Sequence, residues 1–144
     1  MDALQALKTT FLFRDVPESV LKIVAQCAEE RTLPGGDPIA AEEQAVDALY
    51  VVLSGSVQGF RHGDPTQFML GPGQAFGQLS LIDGGPLGLS ATTVEPTKLL
   101  VLRAAKLREA LAGNHEAGHH LFRAVARSLA GRLRGAMRAV ELTA

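Results

Sequence analysis

The chain has 144 residues, of which 47% are hydrophobic and 20% charged. That excludes a disordered tail or a fibrous repeat, and the length fits one domain whose core needs no covalent staples. Net charge is only −1, yet residues 1–97 carry 5 Lys/Arg against 12 Asp/Glu and residues 98–144 carry 9 against 3, an acidic body followed by a basic tail. The single cysteine, Cys27, excludes an internal disulfide and a zinc cluster built on several thiolates. It sits in an apolar helical stripe and reads as a plain buried thiol in a reducing compartment. Asp2, Lys8 and Arg14 interrupt the opening apolar runs, so no signal peptide is expected. The longest charge-free run lacking proline, Ala48 to Phe60, has 13 residues and is too short to span a bilayer. The expectation is a soluble cytoplasmic domain with no membrane segment.

In chain order, Leu4, Leu7 and Phe11 open a short apolar helix-and-turn segment. Asp15-Val16-Pro17-Glu18 then reads as a helix start, with Asp15 as N-cap and Pro17 in the first turn. Val20, Leu21, Ile23, Val24, Cys27 and Ala28 recur at helical spacing, predicting an amphipathic helix from about Pro17 to Glu30. From Arg31 the texture changes to short apolar runs separated by turn residues, and 11 of the 15 glycines lie between positions 35 and 88. Leu49–Leu53, Ser56–Phe60, Gln67–Leu70, Ala91–Val94 and Leu99–Leu102 have strand length and β propensity. Short strands so spaced predict an antiparallel β-roll or jelly-roll barrel, and no βαβ unit supports a doubly wound sheet. Ala104–Ala112 reads as a short helix, Gly113-Asn114 as its break, and His115–Leu142 as a long helix. The fold class is mainly β with an N-terminal helix and two C-terminal helices. It forms one domain over 1–144, with N-terminal helices in 1–30, the roll in 31–103 and C-terminal helices in 104–144.

Within the roll lies Phe76-Gly77-Gln78-Leu79-Ser80-Leu81-Ile82-Asp83-Gly84-Gly85-Pro86, ending in Leu89-Ser90-Ala91-Thr92. A glycine before a one-turn helix leaves backbone N–H groups without intrahelical partners, which is a workable anion site on physical grounds. These residues resemble the phosphate-binding cassette of the cyclic-nucleotide-binding domain family. That family includes the effector domain of catabolite-activator-type regulators, cyclic-nucleotide-gated channels and kinase regulatory subunits. Pro38-Ile39, Glu42, Asp47 through Val57 and Leu70 through Gly77 are similar to the strands leading into that cassette, and the flanking helices match as well. The resemblance implies a cassette at 76–91 and a non-catalytic ligand-sensing module.

The departures shape the expected chemistry. Where the family has a glutamate that accepts from the ribose hydroxyl, this chain has Gln78. Where it has the arginine that pairs with the cyclic phosphate, this chain has Leu89. Glu43 and Val46 replace usual glycines, and the loop around Leu87 has no cation. No Arg or Lys lies between His62 and Lys98, so nothing nearby is expected to substitute. The candidate ligand-binding residues are Phe76, Gly77, Gln78, Leu79, Ser80, Leu87, Leu89, Ser90, Ala91 and Thr92. The N–H groups of Leu79 and Ser80 and the hydroxyls of Ser90 and Thr92 remain to hold a phosphate, without a countercharge. Poor or altered binding of cyclic AMP or cyclic GMP follows, or an apolar pocket lined by Leu87 and Leu89 that takes another small ligand.

Elsewhere the signals are weaker. His115 and His119, and Glu116 and His120, are spaced to share a helical face, but two ligands per face leave a metal site incomplete, so no metal is expected. No Gly-x-Ser-x-Gly elbow, Cys/His signature or paired-carboxylate arrangement supports catalysis. On the last helix Leu121, Phe122, Val125, Leu129, Leu133, Ala136, Met137 and Val140 share one broad face. Arg123, Arg127, Arg134 and Arg138 lie opposite, read as a face against the acidic body or water; without aromatic stacking groups, no direct nucleic-acid binding is expected. Small residues flank the apolar face and suit packing against a second copy, a homodimer through 115–142. Three readings stay open: an altered sensor, a vestigial pocket on a dimerisation or docking scaffold, and a weak cyclic-nucleotide binder. The protein or domain that receives the output is unknown.

Overall fold

The computed structural model describes residues 2–143, and side chains to residue 140. Helix α1 (Ala3–Lys8) starts at Asp2, whose carboxylate accepts from the Gln5 N–H at 2.8 Å. A 3₁₀ turn at Phe11–Phe13 leads to α2 (Glu18–Gln26). Eight strands follow: β1 (Ala28–Leu33), β2 (Pro38–Ala40), β3 (Ala48–Ser54), β4 (Val57–Phe60), β5 (Gln67–Leu70), β6 (Ala75–Phe76), β7 (Ser90–Thr93) and β8 (Thr97–Arg103). Helix α3 (Gln78–Asp83) interrupts them between β6 and β7, and α4 (Ala104–Leu111) and α5 (His115–Thr143) close the chain.

All pairings are antiparallel, in two four-stranded sheets ordered β1-β8-β3-β6 and β2-β7-β4-β5. The expected roll with flanking helices is what forms. Strands β3 and β8 read as continuous apolar runs because both their faces are covered. Tyr50, Val52, Leu99 and Val101 point between the sheets and join a cluster with Val57, Leu70 and Ala91. Leu49, Val51, Leu100 and Leu102 point the other way and pack with Leu21 and Val24 of α2, Leu107 of α4, and Leu121 and Val125 of α5.

Two expectations at the N-terminal side are corrected. The helix predicted over Pro17–Glu30 ends at Gln26, because Ala28–Leu33 pairs residue for residue with β8, from Ala28↔Leu102 to Leu33↔Thr97. Helical spacing carries Cys27 and Ala28 along, but the unfilled edge of β8 takes the backbone hydrogen bonds of 28–33. Charged Glu29, Glu30 and Arg31 then protect this new edge from further pairing. Asp15 does not cap α2 either: Pro17 occupies the cap with no side-chain bond, and the Asp15 carboxylate lies 2.6 Å from Arg127 Nη1 of α5. Both partners are exposed, so this pair contributes at most about 1 kcal/mol. β6 was not visible as a strand in the sequence; its two residues are too few to show alternation.

Cys27 is buried, its thiol facing the Ile23 and Lys106 carbonyls at 3.6 and 3.7 Å, and burial pushes its pKa up. It should react with Ellman's reagent slowly in the folded chain and at the rate of a free thiol in urea. Equal rates would contradict the buried position.

Gly77 sets where the roll meets α3. Its φ is +98°, and a Cβ there would lie 2.5 Å from the Ala48 carbonyl oxygen. Gly77→Ala should cost about 1–3 kcal/mol from backbone conformation alone, read from urea unfolding, and more if α3 cannot shift off β3. An unchanged midpoint would mean that this close approach does not hold.

Candidate ligand site at the cassette

Helix α3 begins at Gln78, where Leu81 is the first residue to bond back to Gly77 O (3.1 Å), and ends at Gly84 in the left-handed region, φ +67°. Ser80 is fully buried, and its hydroxyl donates to the Gly85 carbonyl at 2.9 Å, tying the following loop to the helix. The Gly85 N–H in turn reaches Asp83 Oδ1 at 2.8 Å. Farther along, the N–H groups of Leu87 and Gly88 bond to Gln44 O and Glu42 O, each at 3.0 Å. The loop is therefore held at one end by the Ser80 hydroxyl and the Asp83 carboxylate and at the other by backbone bonds to the 42–44 segment.

The ten candidate residues do not converge on one surface. Phe76, Leu87, Leu89 and Ala91 come together in the cluster between the sheets, where Phe76 stacks on Tyr50 with centroids 4.9 Å apart. Leu87 and Leu89 are 3% and 8% exposed, so they fill apolar space and pack against it. Ser90 and Thr92 alternate along β7 with the buried Ala91 and Thr93 and so belong to the other face of the strand. Ser90 Oγ accepts from the Glu42 N–H at 3.1 Å. The Leu79 side chain is half exposed.

The expectation that no cation stands near the loop is overturned. Antiparallel pairing of β4 with β7 sets Phe60 opposite Ser90. Arg61, the next residue, donates its Nε–H to Gly88 O at 2.9 Å, 27 positions away in sequence. Its guanidinium lies over Phe68, 5.5 Å from the ring centroid. That ring covers Gly59, where a Cβ would come within 2.4 Å of it. The His62 N–H bonds to the Glu42 carboxylate, so the β4–β5 turn and the 41–46 segment close on each other beside the loop. The sequence signal was parity: Arg61 has the same phase as the buried Val57 and Gly59.

Gln78 faces the helical side. It is 3% exposed, and its Nε2 donates to Ala75 O at 3.3 Å. The same carbonyl accepts from Arg132 Nη2 of α5 at 3.4 Å, so one oxygen joins the cassette to the last helix. Arg132 is outside the arginine stripe of 123, 127, 134 and 138, and no sequence motif marks it. On a helical wheel it falls with Ala124 and Ser128, toward the body. Partial desolvation against the body lowers its pKa.

Helix α5 divides along its length. Leu121 and Val125 are in the core, whereas Leu133 and Met137, expected on the same broad face, are 61% and 53% exposed. The residues after 140 of the expected 115–142 interface have no described side chains. Among the described residues no group of three or more His, Cys, Asp or Glu stands together, and no helix is long and apolar enough to cross a membrane.

Comparison with known proteins places this geometry. Residues 30–114 match the family model described as the cyclic nucleotide-binding domain. The chain is 32% identical over 122 residues to the CRP-like cAMP-activated global transcriptional regulator of Mycobacterium tuberculosis, covering 82% of this chain and 54% of that protein. It is 36% identical over 100 residues to the cyclic AMP receptor protein of Thermus thermophilus, covering 67% and 46% respectively. It thus spans about half the length of these curated relatives. The crystal structure of the Thermus thermophilus catabolite activator protein superposes with a TM-score of 0.76 at 33% identity, over 92% of this chain and 62% of that one. With the family model spanning more than half of its residues and relatives agreeing in sequence as well as in fold, the chain belongs to the cyclic nucleotide-binding domain family.

Proposed function

We propose that the chain is a single, non-catalytic, cytoplasmic regulatory module whose cassette binds cyclic AMP and cyclic GMP poorly or has been retuned to another small ligand. The observation that supports this reading is the burial of Leu87 and Leu89 among Tyr50, Phe76 and Val101, with Leu89 at the position that the resemblance assigns to the family's arginine. Removing one partner of a buried charge pair costs about 2–5 kcal/mol, or roughly one and a half to three and a half decades of affinity at about 1.4 kcal/mol per decade. Gln78 is the milder change, since an amide oxygen still accepts from a hydroxyl, at about half the strength of a charged acceptor. The shared Ala75 carbonyl supports coupling from the cassette to α5.

Arg61 favours a second reading, weak but real cyclic-nucleotide binding with the cation supplied from the β4–β5 turn. A third, a docking scaffold with a vestigial pocket, draws on the filled interior. In all three, α5 pairs with a second copy through the stripe of Leu133 and Met137, and no direct contact with nucleic acid is required. The output is read by another protein or segment.

Calorimetry with cyclic AMP and cyclic GMP on the wild type and on Gln78→Glu/Leu89→Arg separates the readings. Silence in the wild type and heat in the double variant is the expected result. Low-micromolar binding in the wild type that is lost in Arg61→Ala would install the second reading, and silence in both proteins the scaffold. Sedimentation at tens of micromolar should give a dimer that Leu133→Asp/Met137→Asp converts to monomer. A wild-type monomer would remove the pairing of α5.

A further inference from the structure

A cleft of about 320 Å³ opens on the outer side of the cassette, between the 3₁₀ turn, the β5–β6 turn and α5. Arg14, Arg127 and Arg132 all line it, against one carboxylate, Asp15, which leaves a local charge of +2. Gln78 and Ser128 add polar groups, and Phe11 and Leu70 supply apolar wall. The site lies apart from the roll interior that holds Leu87 and Leu89, although it shares Ala75 and Gln78 with the start of the cassette.

We propose that this cleft binds a small phosphomonoester dianion carrying an apolar or aromatic body. Arg132 is the anchor. Its side chain is exposed yet leans back to the body, its one hydrogen bond among the described residues is long, 3.4 Å to the neutral Ala75 carbonyl, and no carboxylate among those residues pairs with it. A planar guanidinium presents a fork of donors that matches two oxygens of one phosphate, and the single long bond to Ala75 O leaves most of the Arg132 fork free for it. Arg127 reaches across the cleft to Asp15, 2.6 Å away, with both side chains more than half exposed, so this contact yields readily to a competing dianion. Arg14 sits over the Phe11 ring, 5.7 Å from its centroid, and presents a cation beside an aromatic surface. The volume lies at the small end of ligand pockets, about 300–1,000 Å³, and suits a phosphate with one ring attached. Ala124, Ser128 and Arg132 lie on the flank of α5 away from Leu133 and Met137, so pairing of two α5 helices leaves the cleft open. A bound dianion would join the 3₁₀ turn, the start of the cassette and α5 in one contact.

Phenyl phosphate and inorganic phosphate, titrated into the whole chain, test this by calorimetry and by NMR of the arginine Nε–H groups. The expected result is saturable binding with shifts at Arg14, Arg127 and Arg132, tighter for phenyl phosphate than for phosphate alone. Arg132→Gln should weaken it by about tenfold or more, the scale of one charge-assisted hydrogen bond. Arg132→Lys should fall between, and Asp15→Asn should tighten binding by removing the competing carboxylate. Arg138→Gln, the same charge change outside the cleft, should leave it unaltered. Equal weakening by Arg132→Gln and Arg138→Gln would reduce the effect to general charge attraction and overturn the site. So would the absence of a saturable shift at millimolar phenyl phosphate in the wild type. Opposite signs for Arg132→Gln and Asp15→Asn cannot come from a loss of folding, and thermal melts of each variant check this directly.

Discussion

Between Ala48 and Ser54, successive side chains of β3 alternate between two cores, and β8 beside it does the same. This pair is the wall shared by the interior of the roll and the packing of the helices. Gly77 presses against it from the cassette side, under the Ala48 carbonyl, while Leu121 and Val125 of α5 pack in the cluster on its helical face. Close-packed interiors transmit displacement rather than absorb it. Helix α3 therefore touches β3 directly and meets Arg132 at the Ala75 carbonyl, the contacts on which the proposed coupling rests.

The electrostatics of the cassette region follow from what fills the roll. An arginine among Tyr50, Phe76, Val101 and Leu99 would need an anion to offset its desolvation. Leu89 needs none, and the cluster closes around it. Positive charge is instead displaced to the rims: Arg61 at the β4–β5 turn, held by Gly88 O over the Phe68 ring, and Arg14, Arg127 and Arg132 on the helical side. Both rims border the same loop-and-helix segment, one at its end and the other at its start.

Helix α5 carries these features out from the body. Its first half is committed to the core, and its second half extends past the body, exposed along 131–140. A helix so long gains most of its stability from packing of its apolar face rather than from propensity. The Leu133 and Met137 stripe and the Arg132 flank point in different directions. Under the two proposals above, the faces would divide association from ligand contact along one helix.

Much of the fold was legible because it rests on local chemistry. Gly-rich turns, five of the strands and the boundaries of α4 and α5 follow from propensity and period, and the resemblance located the cassette. The sequence also marks Leu89 and Gln78 as departures from the family's cassette. What it left out depends on which backbone edges meet. Ala28–Leu33 has helical spacing but becomes a strand because β8 offers it an open edge. Asp15 has the form of a helix cap but faces Arg127, across 112 positions of sequence. Arg61 lies outside any motif, and only the β4–β7 register brings it to Gly88. Arg132 looked like one more charge on a basic helix until α5 packed and turned it onto Ala75. Composition and periodicity determine the elements, the apolar faces and the chemistry available at each position. Long-range backbone pairing and helix docking decide which charges become neighbours, because these contacts join residues that no local pattern relates.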